Sequence, residues 1–134
     1  MTAKLDKPLY HGTSKVSALY IVGGDSLHAP VYLTENKQRA IHYAKAATAY
    51  LEYKAKEIGK ELWADGYAVL TFTSLPNEDY LTVDDYNLDA EPHQWKYNKP
   101  IRGLQHFTVE YEPLVATEDV KMSLVCFAIG MWQR

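Results

Sequence analysis

The chain has 134 residues, of which 47% are hydrophobic and 23% are charged, and its formal net charge at pH 7 is −3. These values exclude a disordered chain and lead us to expect that residues 1–134 form one domain around one core. The acidic balance argues against a protein whose main task is to neutralise phosphates along a nucleic acid.

Cysteine content and hydropathy bear on the compartment. Cys126 is the only cysteine, so no internal disulfide can form. The first ten residues lack the apolar segment that a secretory signal needs, and no apolar run is long enough for a membrane-spanning helix. We therefore expect a cytoplasmic protein that does not enter a membrane. The sequence leaves the oligomeric state open.

The chain opens with a short strand and a short helix. Residues 9–10 predict a strand that stops at Gly12, because glycine relieves the steric limits of a tight turn. Residues 14–22 predict a helix, with Thr13 or Ser14 as its N-cap.

A second strand and a long helix follow. The stretch HAPVYLT predicts a strand, with its proline at the start. Apolar or small residues then recur at spacings of three and four from Ala40 to Leu62, which indicates a helix. Thr34 is its predicted N-cap, and the helix runs to about Ala64, either unbroken or as two helices divided near Gly59.

The second half of the chain is predicted to be mostly strands. YAVLTFTSL has the apolar and β-branched residues of a central strand, and YLTV predicts a shorter one. Residues 84–103 predict a long loop. The last third predicts two strands joined by a turn at residues 117–119, of which the second, residues 121–129, is apolar on both faces. This order of elements predicts an α+β fold.

Several kinds of site lack the residues that they need. No two of the five histidines have the spacing of a zinc site, and a second cysteine is missing, so we expect no metal. Cys126 lies in the most apolar predicted strand, where a thiol is usually inert packing. The phosphate-binding and nucleophile motifs of P-loop, Rossmann and α/β-hydrolase proteins are not present.

Three patches place unusual residue types where predicted strands end: YHGTS, VYLTENKQRAIHYA and TVEYE. In the second patch, Tyr32 ends a strand and Tyr43 follows on the apolar face of the next helix, so both rings could face one slot. A flat aromatic ligand ring fits such a slot, because stacking adds about 0.5–1.5 kcal/mol per ring beyond the burial of area.

In this order, the patches resemble the signature of the ADP-ribosyltransferase superfamily, and in particular its diphtheria-toxin and poly(ADP-ribose) polymerase branch with a His-Tyr-Glu signature. The motifs are His-Gly-Thr at a strand end, two tyrosines eleven positions apart, and Val-Glu-Tyr in a late strand. The resemblance runs from Tyr10 to about Ile129. It implies a small α+β fold in which two packed, mainly antiparallel sheets with flanking helices form an NAD cleft.

The resemblance also implies which residues bind NAD, the co-substrate. His11 would hydrogen-bond the adenine-side ribose. The backbone of Gly12, with Thr13 beside it in the motif, would hold the nicotinamide carboxamide. Tyr32 and Tyr43 would enclose the nicotinamide ring.

The implied catalytic set is Glu110 with His11 and Tyr32. Glu110 would bond the 2′-hydroxyl of the nicotinamide ribose while nicotinamide leaves and positive charge develops on the sugar. The chain departs from the family at Ala40, where the polymerase branch usually has a serine. It has Thr108 two positions before the glutamate, where arginine-directed relatives carry a second glutamate, which disfavours arginine as acceptor.

The implied activity is that of a mono-ADP-ribosyltransferase, which moves ADP-ribose from NAD to a macromolecule and releases nicotinamide. The acidic charge favours a protein acceptor over a nucleic acid. By analogy, a compact enzyme of this kind would be a bacterial or phage toxin, an effector or a defence inhibitor. The alternatives are an NAD glycohydrolase, in which water is the acceptor, and a catalytically silent module that binds NAD, ADP-ribose or a protein.

The same residues also allow structural interpretations. His11 could be satisfied by its own turn, Tyr32 and Tyr43 could be core or rim residues, and Glu110 with Glu112 could form a solvated acidic stripe. The stretch HQWKYNKPIR could be a solvated loop, or could cover the diphosphate of NAD or contact the target. The rival acidic residues around the neighbouring turn and loop are Glu78, Asp79, Asp84 and Asp85.

Overall fold

A computed structural model of the chain describes residues 3–62, 64–83 and 94–132. Within these ranges the chain forms one six-stranded antiparallel sheet and three α-helices, which confirms the α+β class. The strands are β1 (Ala3–Ser14), β2 (Val31–Thr34), β3 (Tyr67–Leu75), β4 (Leu81–Val83), β5 (Gln94–Tyr97) and β6 (Phe107–Glu112). The helices are α1 (Lys15–Val22), α2 (Lys37–Glu57) and α3 (Glu118–Trp132).

The strands lie in the order β4-β5-β2-β1-β3-β6. β1 and β3 pair continuously from Leu9 to Ser14, whereas β1 and β2 pair only at Tyr10 and Thr34. This single pair joins β4-β5-β2 to β1-β3-β6. The part of the chain that the structure describes therefore contains one sheet, where the resemblance implied two.

The sheet has an apolar core on each face. Leu70 and Phe72 point to one face, which packs against Ala18 of α1 and is called the α1 face. Tyr10 and Val69 point to the opposite face, which is covered by α2 and α3 and is called the α2 face. Side chains alternate between the two faces along each strand, so the pairing register tells which residues share a face.

The first helix and the central strand agree with the predictions. Ser14 caps α1, because its hydroxyl accepts a hydrogen bond from the Ser17 amide at 3.1 Å. β3 covers the predicted stretch YAVLTFTSL. β1 is longer than predicted and continues past Gly12, because the glycine stays in register with Val69 of β3.

The N-cap of α2 is Asn36, so the prediction of Thr34 was wrong. The Asn36 side chain accepts from the Arg39 amide, whereas Thr34 stays in β2, where its hydroxyl accepts a hydrogen bond from the Gln94 side chain at 2.8 Å. The helix ends at Glu57 and not near residue 64. Gly59 follows at φ +71°, a left-handed conformation that ends helices and favours glycine.

The predicted final strand, residues 121–129, is wrong, because this segment lies in α3. The Thr117 hydroxyl accepts a hydrogen bond from the Val120 amide, so the predicted turn is the start of the helix. Leu124, Val125 and Ala128 are buried at helical spacing. A continuous apolar run fits a buried strand and a buried helix equally well, so the hydrophobicity of residues 121–129 could not decide between the two.

The predicted long loop, residues 84–103, is wrong in its second part, where β5 pairs with both β2 and β4. Trp95 is half-buried against the core and Tyr97 is buried in it at 1% exposure, so these two aromatic side chains of HQWKYNKPIR do not belong to a solvated loop. The Tyr97 hydroxyl accepts from the Asn77 amide at 3.1 Å. Residues 84–93 lie outside the described residues.

Cys126 is exposed on α3, so its predicted burial in a strand was wrong. A helix turns successive side chains by about 100°, which separates Cys126 from its buried neighbours Leu124 and Val125. None of the helices in the described ranges combines the length and apolar character needed to cross a membrane.

Candidate functional site

Gly12 and Glu110 lie in one row across the sheet. Gly12 of β1 is opposite Val69 of β3, and Val69 is opposite Glu110 of β6. Directly opposed residues share a face, so the Glu110 side chain projects from the α2 face on which Gly12 lies. Two strand spacings put the Cα atoms of Gly12 and Glu110 about 10 Å apart.

Gly12 is packed directly against α2. A Cβ atom at this position would meet the carbonyl oxygen of Ala40 and would lie 2.8 Å from the amide nitrogen of Ala44. Ala40 and Ala44 are fully buried at this contact. The glycine therefore lets helix backbone approach strand backbone, a packing role that the sequence did not indicate.

His11 bridges β1 and β2 where their ladder ends. The two strands pair at Tyr10 and Thr34, and beyond this pair the Nδ1 atom of His11 lies 2.8 Å from the main-chain oxygen of Tyr32. His11 is opposite Leu70 of β3, so its ring lies on the α1 face, opposite to Glu110. The histidine thus lies where the regular pairing of the two strands ends.

This contact fixes the tautomer of His11. A carbonyl oxygen can only accept, so Nδ1 carries the proton and donates, and Nε2 of the neutral ring is an acceptor. Burial lowers the pKa of His11 from its usual value, and the hydrogen bond with the Tyr32 carbonyl opposes this shift with a smaller effect. At neutral pH, His11 therefore offers an acceptor nitrogen.

Tyr32 lies on the same face as Glu110. Its neighbours Val31 and Leu33 are buried on the α1 face, whereas the Tyr32 ring is 44% exposed. Lys96 of β5 is directly opposite Tyr32 and shares its face. Thr13 lies opposite Ala68 and therefore points to the α1 face, as His11 does.

Tyr43 contacts α3 and its own helix. Its ring stacks on Phe127 with 5.8 Å between centroids and 20° between planes. The Arg39 side chain donates from Nε to the Tyr43 hydroxyl at 3.0 Å, with its guanidinium carbon 5.6 Å from the ring centroid. The aromatic slot between Tyr32 and Tyr43 stays a prediction.

Lys37 and Glu110 form an ion pair. The Lys37 ammonium lies 3.0 Å and 3.2 Å from the two carboxylate oxygens of Glu110, so it donates to both. Both side chains are partly exposed, at 39% and 53%. The hydrogen bond and the charge of Glu110 raise the pKa of Lys37 above its usual value, so the ammonium stays charged at neutral pH.

The rival acids are remote from this row or lie outside the described residues. Glu78 and Asp79 form a short 3₁₀ helix that leads into β4, at the edge of the sheet opposite to β6. Asp84 and Asp85 lie outside the described residues. In the ranges that the structure describes, no three histidine, cysteine or acidic side chains are grouped to hold a metal ion.

Comparisons with known proteins assign no family to the chain. No protein-family model, no curated protein sequence and no solved structure matches it. The family resemblance therefore stays a prediction that depends on the three sequence motifs. The chemistry of the site has to follow from its own residues and geometry.

Two cations beside the site were not identified from the sequence. Lys37 is 73 positions from Glu110, and no local pattern connects two such residues. Arg39 and Tyr43 are four positions apart on one helix, where side chains meet, so this pair had a recognisable spacing.

Proposed function

We propose that the chain is a mono-ADP-ribosyltransferase that transfers ADP-ribose from NAD to a protein acceptor in a reducing intracellular compartment. The observation that carries the proposal is the common face of Gly12, Tyr32 and Glu110, beside the place at His11 where the pairing of β1 with β2 ends. On this proposal, β1 and β2 separate beyond His11, and the site is the cleft that opens there between the two three-stranded parts of the sheet.

The separation supports binding of a polar ligand. In an antiparallel strand, every second residue directs its amide and carbonyl to a given neighbour. The only β1–β2 pair in the described ranges is Tyr10 with Thr34. On this proposal, main-chain groups of β1 beyond Tyr10 bind the carboxamide in place of β2. The acceptor Nε2 of His11 suits a ribose hydroxyl, and the exposed Tyr32 ring offers a face to a nicotinamide ring.

Glu110 would supply the electrostatic part of catalysis. The C1′–N bond to nicotinamide breaks, its electron pair goes to the ring nitrogen, and positive charge develops on the ribose. A fixed carboxylate that accepts a hydrogen bond from the 2′-hydroxyl stabilises such an oxocarbenium-like state. The acceptor then forms a bond to C1′ and loses a proton.

Nicotinamide release from NAD tests the proposal. The purified chain is incubated with NAD that carries a label in its ADP-ribose part, alone and with bacterial lysate, and Glu110→Gln is assayed in parallel. We expect the wild type to release nicotinamide and to label a protease-sensitive band, and the variant to lose both.

The other outcomes separate the alternatives. Nicotinamide release without labelling in any lysate indicates an NAD glycohydrolase. NAD binding without release, measured by calorimetry, indicates a silent binding module. Release that is unchanged in Glu110→Gln rejects Glu110 as the catalytic carboxylate.

A further inference from the structure

The ion pair between Lys37 and Glu110 joins a helix start to a strand that lies beyond β3. Lys37 is the first residue of α2, and Glu110 is in the edge strand β6. Both carboxylate oxygens lie within 3.2 Å of the same ammonium nitrogen. An exposed glutamate samples several rotamers, and this contact restricts it to those in which the carboxylate reaches Lys37.

The backbone that carries Lys37 is itself fixed. Asn36 caps the helix through the Arg39 amide, and the next turn packs at Ala40 against Gly12 of β1. Gly12 belongs to the row that contains Glu110. The position from which Lys37 reaches Glu110 is therefore set by the same helix-to-strand contact that borders the proposed site.

We propose that Lys37 is a positioning residue, which holds the Glu110 carboxylate in the orientation that its reaction requires. This inference rests on the proposed function. A carboxylate has about four acceptor sites on its two oxygens, and the ammonium uses one on each. Each oxygen of Glu110 therefore retains an acceptor site for a ribose hydroxyl.

The ion pair between Lys37 and Glu110 is poorly suited to stabilising the fold. Exposed ion pairs contribute little to folding stability, because water screens the charges and two flexible side chains lose freedom. Both side chains here are exposed by more than a third. Replacement of Lys37 should therefore leave the fold intact and change the contribution of Glu110 to kcat.

The test measures kcat and KM for nicotinamide release by the full chain and by Lys37→Ala, Lys37→Arg and Lys54→Ala. Misplacement of a catalytic group by about 1 Å can cost about 100-fold, so we expect Lys37→Ala to lower kcat by about tenfold or more. KM for NAD should change less than about twofold, because the lost interaction belongs to the transition state. Lys37→Arg should restore most of kcat, because arginine also donates to both carboxylate oxygens.

Lys54→Ala is the matched control. Lys54 also lies on α2 and forms an exposed ion pair, with Glu57 at 3.2 Å, at the opposite end of the helix. Its kcat and KM should equal those of the wild type. Unfolding in urea should show equal stability for Lys37→Ala and Lys54→Ala.

Three results would overturn the inference, and they are distinguishable. If the wild type releases nicotinamide and Lys37→Ala has the same kcat, Lys37 does not position Glu110. If Lys37→Ala has a higher kcat, the ammonium competes with substrate for the carboxylate. If the wild type releases no nicotinamide in any lysate, the proposed function fails, and the inference fails with it.

Discussion

Glu110 and Glu112 lie on the same face of β6, separated by Tyr111, but they have different neighbours. Glu110 is opposite Val69 and forms an ion pair with Lys37, whereas Glu112 is opposite Tyr67 near the end of β3. A shift of two residues along a strand moves a side chain by about 7 Å. The two glutamates therefore test whether position, and not acidity alone, determines activity.

We expect Glu110→Gln to lower kcat for nicotinamide release by about 10²–10³, because an amide lacks the charge that stabilises the developing cation. Glu112→Gln on the same strand should retain wild-type kcat. Steady-state rates with both variants check this prediction, and circular dichroism checks that both are folded. Equal losses of kcat in the two variants would show a general effect of strand charge.

The individual motif residues could be identified from the sequence, whereas the residues that they contact could not. His11, Tyr32 and Glu110 stand in motifs of a few residues each. The contact of His11 with the Tyr32 carbonyl and the contact of Glu110 with Lys37 connect residues 21 and 73 positions apart. Such pairs come together only when the strands are in register.

The backbones of α2 and β1 approach each other closely beside the proposed site. Gly12 lies against the backbone at Ala40 and Ala44, so there is no space for a side chain. Backbone cannot move aside as the end of a flexible side chain can. Any substitution must therefore push α2 away from the sheet.

Gly12→Ala should lower the free energy of unfolding by about 1–3 kcal/mol or more, because it overpacks a rigid contact. Gly130→Ala is the control, since nothing lies within 4 Å of a Cβ atom there and the residue is helical. That variant should be neutral or more stable by up to about 1 kcal/mol. Urea unfolding of both variants measures the difference. Equal stability of the two would contradict the close packing of α2 on Gly12.

α3 is held to α2 by an ion pair in addition to its apolar stripe. The Lys121 ammonium lies 3.2 Å from the Glu52 carboxylate, and the two side chains are 24% and 18% exposed. Burial raises the pKa of Glu52 most, its hydrogen bond with Lys121 lowers it, and a hydrogen bond with Asp65 raises it. The positive charge of Lys121 thus offsets the negative charge of two neighbouring carboxyl groups, those of Glu52 and Asp65.

Replacing Lys121 with glutamine should lower the free energy of unfolding by about 1–2 kcal/mol, because Glu52 then keeps its partial burial without its cation. Lys54→Gln removes an exposed ion pair of the same 3.2 Å length and should cost less than about 0.5 kcal/mol. Thermal and urea unfolding at pH 7 compare the two. A larger loss in Lys54→Gln would mean that burial does not determine the strength of these pairs.

Across the whole molecule, three histidines should make stability depend on pH. Burial lowers the pKa of His11, His42 and His106 from the usual value, and for His42 the charges of Arg39 and Lys45 lower it further. The unfolded chain then binds protons more readily than the folded chain. Stability contributed by these groups is complete well above pH 6.5, begins to fall near pH 6.5, and is lost as pH falls further through the lowered pKa values of the folded chain.

We expect the free energy of unfolding to decrease between pH 7.5 and pH 5.5, as measured by urea titrations. His106→Gln should reduce this dependence, because His106 is only 2% exposed and its Nδ1 lies 2.9 Å from the Ser74 hydroxyl. His28→Gln is the matched control, because His28 is exposed. If the free energy of unfolding depends on pH as steeply in His106→Gln as in His28→Gln, His106 does not contribute to the pH dependence.

Elements with local signals could be predicted from the order of residues alone. Helix α1 and its Ser14 cap, strand β3 and the α+β class follow from caps, turns and hydrophobic periodicity, which act over a few residues. The motifs around His11, Tyr32 and Glu110 are local in the same sense.

Other features depend on residues that are distant along the chain and meet only in the folded protein. The apolar run of α3 became a helix because α2 offers a surface to a helical stripe, and residues 94–97 became β5 because β2 and β4 supply partners on both sides. Register likewise put Glu110 in a row with Gly12, and the start of α2 brought Lys37 to its carboxylate. Pairing and packing act through space, so the chain order of residues does not reveal them.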